Sequence, residues 1–131
     1  MSAGKKSRQK KMEVEAALEY AHKNVDYLND WERERIFEWF EYVFNKRYSL
    51  KDGQAAKLMA IVRDLENGKK VVTAEHVDTA VIALKHSGLL KGPNELDFLS
   101  KVSKYEPGKH KLSAKERSWL HKVQGRLNKH L

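Results

Sequence analysis

A chain of 131 residues, with 40% apolar and 34% charged side chains, can bury one core of ordinary size. It contains no cysteine, which excludes disulfides and thiolate metal sites, and no apolar run reaches the roughly 18 residues of a membrane span. The basic N-terminus is not followed by an apolar stretch, so it does not resemble a secretory signal. We therefore expect a cytoplasmic protein with no membrane partner, either a monomer or a weak homodimer.

The net charge of +8 is unevenly distributed along the chain. Residues 1–11 carry five basic side chains and no acidic one, residues 12–66 have a net charge of −4, and residues 67–131 have a net charge of +7. This division predicts a basic surface and a separate acidic one.

Residues 1–11 are too polar to be buried, and their like charges repel one another, which predicts a flexible basic arm ahead of a helical domain at 12–131. Two interpretations are open, an arm that lies along phosphates and a solubilising tail. The basic residues concerned are Lys5, Lys6, Arg8, Lys10 and Lys11.

Apolar residues at helical spacing predict a first helix over 12–28 and a second over 31–46. The second helix carries a core face that includes Ile36, Phe37 and Phe40, with Trp39 on its flank, and a second row that we name the Trp31 ridge. This ridge consists of Trp31, Arg35, Glu38 and Tyr42. We expect the first helix to cover the ridge. If it is exposed, it is a candidate partner surface, because Trp, Tyr and Arg dominate interface hot spots.

Three further helices are indicated by their end signals. The third has a capped start formed by Ser49 and Asp52 and ends at Asn67-Gly68. The fourth is capped by Thr73 and runs to about His86, with Gly88 as its terminating residue, and the fifth runs from Pro93 to about Lys104. Val71 and Val72 are able to form a strand, but the sequence offers no second strand. Six helices with short links predict an all-α fold, a single compact bundle.

The last helix has the clearest start, because Ser113 and Glu116 form a capping box. Its apolar residues fall on one arc and its basic residues on an adjacent arc, with Trp119 at the border between them. The basic arc contains Lys111, Lys115, Lys122, Arg126 and Lys129.

A fainter copy of this helix lies in the first half of the chain, where Leu50, Leu58 and Leu65 match Leu112, Leu120 and Leu127 without a gap. The copies predict two related helix pairs at 31–66 and 93–128, although two unrelated amphipathic hairpins can also align in this way.

The last helix also carries the pattern Leu-Ser-x-Lys-Glu/Gln-x3-Leu-x2-Val/Ile. The matching residues are Leu112, Ser113, Lys115, Glu116, Leu120 and Val123. This pattern resembles a motif in small helical bacteriophage proteins, some of which accompany replication or recombination. The earlier copy departs from it, with Lys51 and Gly53 at the Ser and Lys positions. The resemblance implies a phage-type accessory protein and supplies no catalytic residues.

No sequence motif for a catalytic or cofactor site is complete. Glu75-His76 does not extend to His-Glu-x-x-His, and no glycine-rich phosphate loop is present. Glu34, Glu38 and Glu41 share a helix face without a histidine at ligand spacing, which favours a solvated acidic face. We expect no enzyme activity, no catalytic residues, no metal site and no cofactor.

The basic arc and the basic arm are the strongest functional signals, because cations at regular spacing bind phosphates with release of counterions. Trp119 either stacks on a base or covers the core. We expect a nucleic-acid-binding accessory protein whose partner is DNA or RNA. The alternative is a protein-interaction module, an inhibitor or adaptor of a nucleic-acid enzyme, that uses the Trp31 ridge.

Overall fold

The described residues form an all-α fold, which confirms the predicted class. A computed structural model describes the backbone of residues 3–131 and the side chains from residue 13 onward. The helices are α1 Ala3–Lys23, α2 Asp30–Phe40, α3 Asp52–Glu66, α4 Ala74–Lys85, α5 Pro93–Ser103 and α6 Ala114–His130. Among these residues, no helix combines the length and apolar character needed to cross a bilayer.

The helices belong to two compact units, residues 1–68 and residues 69–131, which we call unit 1 and unit 2. In unit 1, α1 packs against both α2 and α3, and in unit 2, α4 packs against both α5 and α6. Each unit is therefore a three-helix arrangement with its own hydrophobic core.

Helix α1 begins earlier than its apolar pattern predicts. The backbone is helical from Ala3, and the flexible basic arm expected at residues 1–11 stays a prediction. The run of Lys, Arg and Gln consists of good helix formers, and no proline interrupts it, so the helix extends from its packed part. Met1 and Ser2 lie outside the described residues, as do the side chains of residues 3–12.

Helix α2 presents a narrower core face than predicted. Ile36 and Trp39 are buried, whereas Phe37 is 48% exposed. A capping box between Asn29 and Glu32 begins the helix, and a π-helical turn, Glu41–Asn45, continues it. In this box, Glu32 accepts a hydrogen bond from the backbone N–H of Asn29 at 3.1 Å, which satisfies a buried carboxylate.

Helix α3 starts later than Ser49. Its N-cap residue is Lys51, whose backbone N–H donates to the Gln54 side chain at 2.9 Å. At the other end, Gly68 adopts the left-handed φ of 78° that glycine accommodates without strain.

Unit 2 contains the small sheet that the sequence did not predict. Strand β1, Lys70–Val71, pairs antiparallel with β2, Lys111–Leu112, with Lys70 opposite Leu112. The pairing continues beyond the strands, where the Val72 N–H donates to His110 O at 2.8 Å. The expectation of no second strand was wrong because the partner strand is very short and lies beyond two intervening helices in the sequence.

The order of the three α-helices is the same in both units when Leu58 is aligned with Leu120. A 3₁₀ turn follows the first helix of each unit, at Val25–Tyr27 and at Ser87–Leu89. Buried apolar residues also correspond, in the pairs Leu18 and Ala80, Ala21 and Ala83, Ile36 and Phe98, Leu58 and Leu120, and Ile61 and Val123. The repeat at 31–66 and 93–128 stays a prediction, to which these correspondences add support from the first helices.

Candidate nucleic-acid interface

The start of α6 is held by the sheet and by its capping box. Leu112 is fully buried in β2, immediately before the N-cap residue Ser113. The Ser113 hydroxyl accepts from the Glu116 N–H at 3.1 Å, and Glu116 accepts from the Ser113 N–H at 2.9 Å. These contacts fix the direction of the helix, and with it the surface that its side chains present.

Three lysines form an exposed row on α6, which we call the lysine row. Lys115, Lys122 and Lys129 are all exposed and recur at heptad spacing. At 1.5 Å of rise per residue they lie about 10.5 Å apart along the helix axis. A row of ammonium groups some ~20 Å long matches the regular charges of a phosphate backbone better than a single cluster does.

The corresponding helix of unit 1 has no such row. In the alignment that pairs Leu58 with Leu120, α3 and its C-cap carry Gly53, Ala60 and Asn67 in place of the three lysines. A helix in the same position of a three-helix unit thus forms without cations on this face. Packing therefore does not require the lysines, which leaves them available for an external contact.

Arg126 does not belong to this exposed surface, contrary to the sequence-based assignment. Its guanidinium forms an ion pair with Glu95 at 2.6 Å and donates to the carbonyl oxygen of Leu89. Glu95 is only 4% exposed. Arg126 fell on the basic arc because a helical pattern does not reveal which neighbouring helix carries its partner.

Glu95 receives three hydrogen bonds in this buried position. Besides Arg126, the donors are the Trp119 indole N–H at 2.8 Å and the Lys91 backbone N–H at 3.1 Å. Burial by itself raises the pKa of Glu95, but the hydrogen bonds from Arg126, Trp119 and Lys91 outweigh it, so the net pKa is lowered. Glu95 is therefore an ionised carboxylate that ties α5 to α6.

Trp119 is a structural side chain in this arrangement. Its ring stacks on Phe98 with a centroid distance of 4.4 Å and an interplanar angle of 1°. Since its N–H is bonded to Glu95, the ring is not free to leave the junction and stack on an unpaired base. The interpretation of Trp119 as core cover is the one that these contacts favour.

The remaining residues of the predicted stripe lie around β2. Lys111 is half-buried within the strand. Nearby, Tyr105 and His110 stack with their centroids 4.4 Å apart. The predicted contacts of Lys5, Lys6, Arg8, Lys10 and Lys11 concern side chains outside the described part, although their backbone belongs to α1.

The Trp31 ridge of unit 1 is exposed, so the expectation that α1 covers it is wrong. Trp31 is 48% exposed and Tyr42 is exposed as well. Arg35 forms ion pairs with Glu38 at 3.3 Å and with Glu34 at 3.6 Å. All four predicted residues lie on the surface or at its edge.

Two cations lie over the Trp31 ring. The Arg35 guanidinium carbon is 5.9 Å from the ring centroid, and Lys57 Nζ, from α3, is 5.7 Å from it. Cation–π contacts of this kind stabilise an exposed aromatic ring in place. Trp31 is therefore presented in a defined orientation.

The far end of the ridge contains irregular backbone. Tyr42 lies in the π-helical turn, and its ring is 4.8 Å from that of Tyr48. Between them, Arg47 has a positive φ of 61°, which is uncommon for a residue other than glycine. π-helical turns and strained residues are concentrated at functional sites. Their presence at this end of the Trp31 ridge therefore supports the ridge as a candidate binding surface.

Sequence reasoning missed a groove between α4 and α6 in unit 2, with a volume of about 520 Å³. His76 lines it, and its Nδ1 accepts a hydrogen bond from the Thr73 N–H at 3.1 Å. Burial lowers the pKa of His76, and the charge of Arg117 lowers it further, against the opposing effect of Glu75. In the described part of the chain, no cluster of three or more His, Cys, Asp or Glu side chains is suited to a metal ion.

Comparisons with known proteins found nothing similar to this chain. No family model matches the chain, and neither the characterised proteins nor the solved structures gave a match.

Proposed function

We propose that the protein is a non-catalytic nucleic-acid-binding accessory protein of the bacteriophage type that its motif resembles. The lysine row of α6 contacts the phosphate backbone, and the five basic residues near the start of α1 add to the grip. The observation that carries the proposal is the row itself, exposed on α6 and absent from the corresponding face of α3.

The binding mode follows from the side chains that are available. Lysine ammonium groups bind phosphates as point charges and read no base sequence. Because Trp119 is held by Phe98 and Glu95, it supplies no stacking platform for single strands. We therefore expect little sequence preference, and affinities of about 10⁻⁴ to 10⁻⁶ M at physiological salt.

A triple variant tests this proposal by fluorescence anisotropy with a labelled DNA duplex. Lys115→Ala, Lys122→Ala and Lys129→Ala together are expected to weaken binding by about tenfold or more at low salt. The matched control replaces Lys85, Lys91 and Lys101 with Ala. These are exposed lysines of the same unit outside the row, so the net charge falls equally. Equal losses in the two variants would refute a role specific to the row.

A second candidate function is protein binding through the Trp31 ridge. It is favoured by the exposure of Trp31 beneath two cations and by the strained backbone at Arg47. In this function, the chain is an inhibitor or adaptor of a nucleic-acid enzyme.

Affinity purification from nuclease-treated extract tests this second function. A partner captured by the wild type and lost with Trp31→Ala and Tyr42→Ala supports it. A control variant with Tyr20→Ala and Tyr27→Ala, which are exposed aromatics outside the ridge, is expected to retain the partner. Partners that all disappear on nuclease digestion would contradict it.

A further inference from the structure

The connection between the second and third helices carries a pair of aromatic rings in each unit. In unit 1, the rings of Tyr42 and Tyr48 have centroids 4.8 Å apart. In unit 2, Tyr105 and His110 stack with centroids 4.4 Å apart and an interplanar angle of 12°. In the alignment that pairs Leu58 with Leu120, Tyr48 corresponds to His110. We call Tyr48 and His110 the outer rings.

The backbone that holds the pair differs between the two units. In unit 1, a π-helical turn leads into the pair, and the Tyr48 N–H donates to Tyr42 O at 3.0 Å. In unit 2, His110 immediately precedes β2, and its carbonyl oxygen accepts from the Val72 N–H at 2.8 Å. Since two different backbone paths bring one ring against another, the ring pair is not a by-product of a single type of turn.

The outer ring of each pair is exposed to solvent. Tyr48 is 55% exposed, more than Trp31 or Phe37 at 48%. His110 is also exposed, whereas Tyr105 is half-buried and packs against the core of unit 2. A ring that is supported on one side and exposed on the other offers its free face to a planar group.

Cationic side chains adjoin the outer ring in both units. Lys46 and Arg47 precede Tyr48, Lys109 precedes His110, and all three cations are exposed. Arg47 also has the positive φ of 61°, and backbone strain of this kind is concentrated at ligand sites. In unit 1 the strain thus falls on the cation that is next to the exposed ring.

An unpaired nucleotide combines the two groups that such a site binds. Its base is planar and stacks on aromatic side chains, and its phosphate is attracted to lysine and arginine. A base inside a duplex is already stacked on both faces, so it has no face to offer. An aromatic side chain of a protein partner has a planar ring but brings no anion with it.

We propose that Tyr48 and His110 each stack on an unpaired base of a single-stranded nucleic acid, with the cations beside them at the adjoining phosphates. This inference rests on the proposed nucleic-acid function and adds single strands to its substrates. Stacking accepts every base, so the two sites agree with the expected lack of sequence preference.

Chemical-shift titration of the full chain labelled with ¹⁵N tests each connection by its own signals. One probe is a thymidine tetranucleotide, and the other is an abasic tetranucleotide that has the same phosphates but no bases. The thymidine strand is expected to cause saturable shifts in the amide signals of residues 42–48 and 104–111. The abasic strand is expected to bind about fivefold more weakly or worse at each connection, as for the loss of one base stacked on an aromatic ring.

Tyr48→Leu and His110→Leu test the outer rings one at a time. Leucine keeps an apolar side chain but removes the ring, so each change is expected to weaken the thymidine strand at its own connection by about fivefold or more. Binding of the abasic strand is expected to stay unchanged. The controls are Tyr20→Leu and His86→Leu, at an exposed tyrosine of unit 1 and an exposed histidine of unit 2 outside these connections, and they are expected to bind like the wild type. The amide spectrum of each variant reports whether it is folded.

A parallel titration with a duplex separates this inference from the proposed function. Shifts along the lysine row with the duplex, without saturable shifts in the two connections with the thymidine strand, would overturn the inference alone. No binding of either nucleic acid would overturn both. Equal binding of the thymidine and abasic strands, or equal losses in the ring variants and their controls, would also overturn the inference, because the rings would contribute nothing. A response confined to one connection would overturn it for the other.

Discussion

Glu95 is the residue on which the junction of α5 and α6 most depends. It is buried and receives hydrogen bonds from Arg126, Trp119 and the Lys91 backbone. Removing one member of a buried ion pair leaves the other charge without compensation, which costs more than the pair contributes. The network therefore explains why an arginine and a tryptophan on the basic edge of α6 serve the fold.

Replacing Glu95 with Gln is expected to destabilise the protein by about 3–5 kcal/mol at neutral pH, because the Arg126 charge loses its partner. Urea denaturation measures the change in the free energy of unfolding. Glu106→Gln, at an exposed acid of the same unit, is the control and is expected to stay within about 0.5 kcal/mol of the wild type. Similar small effects in both variants would contradict the importance of the network.

The free energies of unfolding of the wild type and of Glu95→Gln, compared over a range of pH, test whether Glu95 is an ionised carboxylate in the folded protein. The pKa of Glu95 in the folded state lies below the ordinary value of 4.5, so the unfolded state binds more protons between the two values. The stability supplied by the carboxylate is therefore complete above the ordinary pKa, and is lost as the pH falls through the folded pKa. The difference between wild type and Glu95→Gln is expected to shrink on acidification from pH 6 to pH 3. A difference that grows would contradict this assignment.

Trp119→Phe separates the structural role of the ring from a role in binding. Phenylalanine keeps an aromatic ring against Phe98 but removes the N–H that donates to Glu95. We expect a loss of about 1.5–3 kcal/mol in the free energy of unfolding, as for a hydrogen bond to a charged group. Duplex and single-strand affinities, measured by anisotropy, are expected to stay unchanged. A loss of single-strand binding without a loss of duplex binding would contradict this structural role and would indicate that Trp119 stacks on bases.

At the scale of elements, four sides of α6 have different surroundings. One face is buried in the core through Leu120, Val123 and Leu127. The Trp119 and Arg126 edge meets α5, the Gln124 edge lines the groove, and the lysine row faces outward. The periodicity of the sequence predicted the core face of α6 correctly. It placed Arg126, which contacts α5, in the same basic arc as the three exposed lysines.

Gly125 offers a test of α6 as an independent element. It lies within the helix, and a Cβ added there meets nothing within 4 Å. Gly125→Ala is therefore expected to stabilise the protein by about 0.5–1 kcal/mol through lower backbone entropy in the unfolded chain. Gly92→Ala is the contrasting change. It is expected to destabilise, because Gly92 has a φ of 117°. Thermal unfolding distinguishes them, and equal effects of the two changes would contradict the backbone account.

Helix ends were predictable where their chemistry is local. Thr73 and Ser113 cap the helices that the sequence assigned to them, since an N-cap hydroxyl and the N–H that it bonds are close in sequence. Strand β2 and the Glu95–Arg126 pair depend on partners far along the chain, and local patterns do not encode such pairings. The groove had one signal, the polar residues at positions where the earlier copy is apolar.

For the whole molecule, the charges differ between unit 2 and the part of unit 1 that follows residue 11. Residues 67–131 carry thirteen basic and six acidic residues, a net charge of +7, whereas residues 12–66 of unit 1 have a net charge of −4. The basic region thus corresponds to unit 2, whereas the acidic region is only the 12–66 part of unit 1, whose residues 1–11 carry five basic side chains. The lysine row lies on unit 2, which is basic, and the Trp31 ridge lies in the acidic 12–66 part of unit 1.

This division assigns different partners to the two units. A basic surface attracts phosphates at long range, and its effect weakens as salt screens the charges. The Trp31 ridge combines aromatic rings with charges of both signs, which is the composition of a protein interface. Of the two surfaces, only the lysine row is therefore expected to bind in a strongly salt-dependent manner.

The salt dependence of DNA binding by the wild type and the two triple-lysine variants tests the central claim most directly. Anisotropy titrations with one duplex, repeated between about 50 and 200 mM salt, give the slope of log K against log salt. If the wild type neutralises about three to five phosphates, its slope is roughly −2.7 to −4.5. Replacing Lys115, Lys122 and Lys129 is expected to reduce the magnitude of the slope by about 0.9 for each phosphate that is no longer neutralised, whereas replacing Lys85, Lys91 and Lys101 leaves it unchanged. A flat slope in the wild type, or the same slope in all three proteins, would contradict the claim that the lysine row binds the phosphate backbone.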